Sequence, residues 1–234
     1  MANQVSPKTK IVTIEDPVEY MLPGVAQVQV MPAAGLSFIA ALRAALRAAP
    51  NVVLIGEIRD PETLSLAQEC ALNGHLVLTA LHTRDAASAL RRMLDIGSPA
   101  FHVGSATKLV VAQRLVRTLC PHCSKPTTLS GPMLERVERI AREEGLDWGT
   151  LPRTFRQAVG CKTCYGTGYR GRTVIAEALE VTSEIAEALE RKATDDELNA
   201  LAVKQGMISF AAHGMQRAVA GETTVEEVLR FVAR

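Results

Sequence analysis

The sequence predicts an α/β fold on a mainly parallel sheet, followed by a cysteine-paired segment and a helical tail. Three observations carry this. Short apolar runs alternate with helical segments over residues 11–119, two Cys-x-x-Cys pairs follow, and from Ser183 onward the pattern is helical throughout. The predicted divisions are residues 1–119, 120–172 and 173–234.

Ile11–Ile14, Val52–Ile55 and Leu76–Leu81 are apolar runs of the kind expected of strands buried on both faces. Val25–Val30 alternates, with Gln27 and Gln29 opposite Ala26, Val28 and Val30, and predicts a more exposed strand. Ser37 caps a helix to Ala49, ended by Pro50. Asp60-Pro61 is an N-cap with proline at the first helical position, and Gly74 closes that helix. Helices are further predicted over Arg84–Ile96 and from Ala100 to Leu119. After Cys120 an amphipathic helix is predicted over residues 133–144, with Glu135–Arg139 and Glu138–Arg142 as i,i+4 pairs. In the tail, Thr194-Asp-Asp-Glu197 and Thr223-Thr-Val-Glu226 read as capping boxes of a small helical bundle.

The 234 residues are 47% apolar and 22% charged, which excludes wholesale disorder and collagen-like architecture. A net charge of +1 gives no global attraction to nucleic acid or anionic membrane. No apolar run approaches the roughly 18 residues of a membrane helix, and Met1–Tyr20 shows no secretory signal. The chain reads as soluble and cytoplasmic, without a transmembrane segment.

Cys120, Cys123, Cys161 and Cys164 form two pairs separated by residues 124–160. Two such knuckles complete a tetrahedral sulfur shell suited to a structural Zn²⁺, with no open position for chemistry. The alternative is a disulfide or redox pair, which a cytosolic setting disfavours. The long gap predicts something folded between the knuckles. Cys70, in a helix among Ala67, Ala71 and Leu72, reads as a buried inert thiol.

Three chemistry-bearing clusters fall at strand ends, where α/β sheets place ligands. They are Glu15-Asp16-Pro-Val-Glu19, Gly56-Glu57-Ile-Arg59-Asp60 and His82-Thr83. Strand-end carboxylates are how nucleotide hydrolases hold Mg²⁺ and polarise attacking water. Each cluster alone is also compatible with helix capping or a hydrogen-bonded core histidine; three on successive strands favour a site.

From about Lys10 onward the sequence resembles the C-terminal motor of the type II secretion and type IV pilus assembly ATPases, a RecA-like hexameric family. Ile14-Glu-Asp-Pro-Val-Glu19 corresponds to its aspartate box and Leu46–Asp60 to its Walker B signature, with Asn51 where Asp is usual. Gly74–Thr83 corresponds to its histidine box, and Gln113–Cys123 leads into its zinc module. The resemblance implies a RecA-like, P-loop-NTPase-type sheet and ATP with Mg²⁺ as cofactors. It implies that Glu19 orients the hydrolytic water and Glu57 supports Mg²⁺, with Glu15 and Asp16 shaping the pocket. His75 and His82 would couple the γ-phosphate to neighbouring elements, while Gly56 and Thr83 belong to the same motifs. Arg43, Arg47 and Arg59 are candidates for reaching nucleotide or a neighbouring subunit, against the alternative of a solvated basic face. The implied partners are a homo-hexamer and inner-membrane platform proteins, with no nucleic acid. The tetracysteine segment points to an assembly or secretion motor, since retraction motors typically lack it.

A phosphate-binding loop needs G-x-x-x-x-G-K-[ST], and no Gly-Lys dipeptide occurs in the sequence. Gly166–Thr173 has Arg172 where Lys is required and reads as a turn of the cysteine segment. The expectation is an incomplete sheet lacking the strand and loop of the phosphate cradle, and little ATP affinity for this polypeptide alone. Two functions follow as alternatives: the C-terminal portion of a motor for pilin or pseudopilin assembly, or a catalytically incompetent, zinc-stabilised interaction module.

Overall fold

The computed structural model describes residues 5–6, 8–143 and 154–232. In chain order the first half runs β1 (Ile11–Glu15), β2 (Ala26–Gln29), α1 (Phe38–Leu46), β3 (Val52–Ile55), α2 (Pro61–Leu72), β4 (Leu76–Thr79), α3 (Ala86–Ile96), α4 (Ala100–Ala106) and β5 (Leu109–Leu119). There follow β6 (Lys125–Thr128), α5 (Gly131–Glu143), β7 (Thr154–Gln157), β8 (Tyr169–Glu180), α6 (Ser183–Glu190), α7 (Asp195–Lys204), α8 (Phe210–Val219) and α9 (Val225–Val232). The chain divides into residues 1–110 with 181–198, and residues 111–180 with 199–234.

The first unit is built on a parallel sheet in the order β2-β1-β3-β4. Its two central strands are the apolar ones, and Ile11, Ile14, Val53 and Ile55 are essentially shielded from water. The caps read from the sequence form: Ser37 accepts from the Ala40 N–H (3.2 Å), and Asp60 from the Thr63 N–H (2.8 Å). The cap of α3 is Asp85, whose exchange with Ser88 makes a capping box. Apolar pattern misjudges one strand. β4 is the edge of the sheet among the described residues, and Leu76 and Leu78 remain 49% and 36% exposed.

A second correction concerns Ala100–Leu119, expected as one helix. The helix stops at Ala106 and Leu109–Leu119 is a strand paired with β8. Val110, Val111 and Val116 are β-branched and poorly suited to a helix. Ala112 and Val116 are buried, while Val111 and Leu115 are exposed, which is the period of two.

In the second unit, β6 and β7 pair antiparallel from Lys125↔Gln157 to Thr128↔Thr154. Helix α5 lies between them in sequence and, with α8 and α9, packs around Phe155, Met215, Val225 and Val228. Something folded does separate the two cysteine pairs. The ion pair found along α5 is Arg139–Glu143 (4.0 Å) instead of the two pairs expected, and residue 144 falls outside the described residues. The Thr194–Glu197 capping box forms as read. The next cap is shifted by one residue: Thr224 accepts from the Glu227 N–H (3.2 Å), and Glu227, not Glu226, is the buried acid.

Candidate functional site

The parallel order creates a switch point. From β1 the chain turns to β2 on one side, whereas from β3 it continues to β4 on the other. A crevice therefore opens outside the carboxyl ends of β1 and β3, the position at which open α/β sheets bind ligands. Here it is a cavity of about 220 Å³ lined by Asp16, Val30, Ser37, Phe38, Glu57, Arg59 and Asp60, among others. The β3 turn is tight: the Gly56 N–H donates to the Ile14 carbonyl (2.8 Å), and a Cβ on Gly56 would lie 3.3 Å from that oxygen.

Glu57 is the organised carboxylate of this cleft, with its side chain 14% exposed. It pairs with the Arg59 guanidinium through one oxygen and with the His82 Nε2 (3.2 Å) through the other. The hydrogen bond from Arg59 is the main reason its pKa lies below the ordinary carboxylate value, against an opposing effect of burial. His82 reaches it from the segment after β4, so residues following adjacent strands converge.

The other predicted residues divide. Asp16 lines the cleft, and Glu19 lies exposed on the loop beyond it. Glu15 is turned to sheet duty, accepting from the Thr13 hydroxyl (2.5 Å) and the Gln27 amide (3.0 Å). Thr83 donates to the Asp85 carbonyl (3.3 Å) at the start of α3. His75 is not brought to the site. Its Nδ1 bonds the Pro50 carbonyl (2.7 Å) at the amino ends of β3 and β4, a strand's length of about 13 Å from the carboxyl ends. Asn51 sits at that same end and accepts from the Lys10 N–H (2.8 Å). Arg43 is held by Glu62 (2.5 Å), and Arg47 is exposed. Sequence reasoning missed the cleft's apolar side, Val30 and Phe38, which tertiary packing alone carries there.

The second candidate site is the cysteine cluster. The Sγ atoms of Cys120, Cys123, Cys161 and Cys164 all lie within 4.8 Å of one another. Cys120–Cys161, Cys123–Cys164 and Cys161–Cys164 are 3.9, 3.8 and 3.7 Å apart. A tetrahedron of Zn–S bonds near 2.3 Å has edges of about 3.8 Å, so the cluster fits Zn²⁺. A disulfide would need about 2.05 Å, and all five cysteines are free.

Backbone donors support the sulfurs: the Gly160 N–H on Cys123 (3.3 Å), Cys161 N–H on Cys164 (3.1 Å) and Gly168 N–H on Cys164 (3.2 Å). Burial pushes the Cys164 thiol up, but the Cys161 and Gly168 N–H groups bring it down to about 6. Burial and the neighbouring thiols raise Cys123 to about 11. Gly160 (φ 109°) and Gly168 (φ 76°) are required by shape. Added Cβ atoms would come within 2.5 Å of the Gly166 carbonyl and 2.6 Å of Ala158.

Fold and sites together define an α/β protein with an acidic cleft at the switch point of a parallel sheet and a separate four-cysteine centre. The family model for type II/IV secretion system proteins matches residues 2–230, and the chain belongs to that family. It is 43% identical over 224 residues to the type IV pilus assembly ATPase PilB of Thermus thermophilus, covering 96% of this chain and 24% of that one. It is 42% identical over 222 residues to the type II secretion system protein HxcR of Pseudomonas aeruginosa, covering 95% and 42%. It thus spans less than half the length of either relative. Among solved structures, the pilus retraction motor PilT with bound ADP shares the fold at a TM-score of 0.67 and 22% identity, covering 99% of this chain and 55% of that one. The Legionella pneumophila ATPase DotB gives 0.66 at 20% identity, covering 99% and 54%. Among the described residues no helix is long and apolar enough to cross a membrane.

Proposed function

We propose that the chain is the Mg²⁺- and water-handling part of an ATP-driven motor for pilin or pseudopilin assembly, stabilised by Zn²⁺ at the cysteine cluster. The observation that carries this is Glu57 at the end of β3, with His82 on one oxygen and Asp16 in the same cleft. The residues suit the group: hard carboxylate oxygens at strand ends are Mg²⁺ ligands, directly or through water. When bound, Mg²⁺ with ATP supplies charge neutralisation of the transferring phosphoryl group.

This chain's residues do the rest. Glu57, paired with Arg59 here, is the residue that would hold Mg²⁺, directly or through water, and Arg59 would then be available to an anionic neighbour. Glu19, exposed on the loop after β1, would orient the hydrolytic water. His82 reports to Glu57 across the β3–β4 boundary. The RecA-like reading also accounts for the exposed apolar edge of β4, which fits one more strand of a longer chain. Partners then follow by kinship: a homo-hexamer, and platform proteins that hold it at the inner membrane from the cytoplasmic side.

The phosphate cradle is the part for which residues 1–234 hold no G-x-x-x-x-G-K-[ST] string. That observation favours the second reading for the polypeptide by itself, an interaction module without turnover. Glu57→Gln, measured with residues 1–234 joined to a G-x-x-x-x-G-K-[ST] segment, distinguishes the readings: loss of ATP hydrolysis by about 100-fold or more, with folding and metal content kept, supports the motor. Unchanged hydrolysis overturns the role of Glu57. Calorimetry on the 234-residue chain should show ATP binding weaker than micromolar.

A further inference from the structure

We propose that the turn into the C-terminal helix, Glu222–Glu227, is the outer support of the cysteine cluster, so that metal loading and docking of α9 are thermodynamically coupled. This rests on the reading that the four cysteines hold Zn²⁺.

The two knuckles are joined through Gly168, whose N–H donates to Cys164 Sγ (3.2 Å) and whose carbonyl accepts the Cys120 N–H (2.9 Å). The residues flanking this junction are gripped from one side by the C-terminal turn. Glu227 accepts from Arg117 through Nε (3.0 Å), Nη2 (2.6 Å) and the backbone N–H (3.3 Å). Thr223 donates its hydroxyl to the Arg117 carbonyl (2.8 Å), and the Leu119 N–H donates to the Glu222 carbonyl (2.8 Å). On the second knuckle's side, Arg117 lies 4.0 Å over the Tyr169 ring, and the Tyr169 hydroxyl pairs with that of Thr224 (3.0 Å). One turn thus holds residues 117, 119 and 169, which lead directly into Cys120 and out of Gly168.

Glu227 is only 3% exposed. Arg230 (3.2 Å) stays with Glu227 on α9, but a partial lift that parts Arg117 from a still-buried Glu227 loses that pair without regaining hydration, so α9 does not lift away gradually. The corner is therefore either made or broken, and whichever state holds the knuckles at tetrahedral spacing binds the metal better. Linkage is reciprocal: what the corner contributes to metal affinity, the metal returns to α9. Groups bonded directly to metal ligands carry about 10–100-fold in affinity; this corner holds the residues beside the ligands and touches no sulfur, so its leverage is set at the lower end, about tenfold.

The test uses the full chain. Zinc content is measured first, then Zn²⁺ affinity by competition with a chromophoric chelator for the wild type, Glu227→Gln and Thr224→Val. Amide exchange over residues 222–232 is followed before and after metal removal. Glu227→Gln is expected to weaken Zn²⁺ by about tenfold, the lower end of what partners of metal ligands carry. Thr224→Val, which deletes one hydroxyl and keeps the ion pair, weakens it less and carries the test if Glu227→Gln fails to fold. Chelation is expected to speed exchange at 222–232 more than in β1. A role confined to packing would leave the affinity of the folded variants unmoved. Affinities within twofold of wild type, or exchange at 222–232 unchanged by chelation, overturn the coupling. A wild-type chain that takes up no zinc overturns the metal reading itself, before any variant is compared.

Discussion

The acidic cleft and the cysteine cluster solve opposite problems. The cleft gathers charges that stay near water: Arg59 and His82, the partners of Glu57, have side chains 71% and 90% exposed. The cluster withdraws its groups, with Cys120 and Cys164 buried and N–H donors from Gly160, Cys161 and Gly168 aimed at the sulfurs. A site that must exchange ligands keeps its groups loosely paired, because every contact must be replaceable at low cost. A site that holds a structural ion is saturated from behind, because its role is to bind once and stay closed.

The contrast is most open to refutation by metal removal. Structural Zn²⁺ contributes on the order of 10–16 kcal/mol in small zinc peptides, comparable to a whole domain's stability of about 5–15 kcal/mol. Chelation, or Cys164→Ser, is therefore expected to abolish protection of α5, β6 and β7 while β1 and β3 keep theirs, as read by amide exchange. Loss of protection in both units alike would break the comparison.

Next in size is Phe155→Ala, which removes a side chain 2% exposed at the centre of the second unit's core. A loss of about 3–5 kcal/mol is expected in denaturant unfolding. Asp85→Ala, which removes the buried cap of α3, is expected to cost about 0.5–2 kcal/mol in the first unit.

Acid sharpens the comparison further. Burial works against the charge of Glu227, but the Arg117 side chain and N–H, with Arg230, hold its pKa below the ordinary carboxylate value. Its contribution is thus present above that ordinary value and is lost as pH falls through the lower folded one. Glu227→Gln should flatten the acid limb of the stability profile, measured as midpoint denaturant concentration between pH 6 and pH 3. The smallest effect belongs to the cleft. Arg59→Ala, breaking an exposed pair, should change stability by about 0–1 kcal/mol, and a larger loss would mean the cleft is structural.

Most local signals were legible where neighbours along the chain decide the outcome, although the last cap fell at Thr224 instead of Thr223 and α5 paired Arg139 with Glu143. Asp60-Pro61 capped α2, Thr194 and Glu197 made their box, and the pairs Cys120/Cys123 and Cys161/Cys164 met. Periodicity over a few residues misled where the deciding partner is distant. Leu109–Leu119 is apolar enough for a helix, and its pairing with β8 some fifty residues later makes it a strand. His75 and His82 share one motif seven residues apart, yet a strand carries them to opposite ends of the sheet.

The amino-acid sequence alone determined the parallel α/β pattern, the acidic strand ends, the two cysteine pairs and kinship to the type II/IV secretion system proteins. These depend on residue type, short spacing and caps, which act within a turn or a strand. Tertiary structure alone decided that β4 lies at the sheet edge among the described residues, that Glu15 serves the sheet while Asp16 lines the cleft, and that Glu227 anchors Arg117 beside the cysteines. Those outcomes depend on which surfaces meet, from Glu15 with Gln27 to Arg117 with Glu227, and burial, which decides what a charge can do, exists only once they have met.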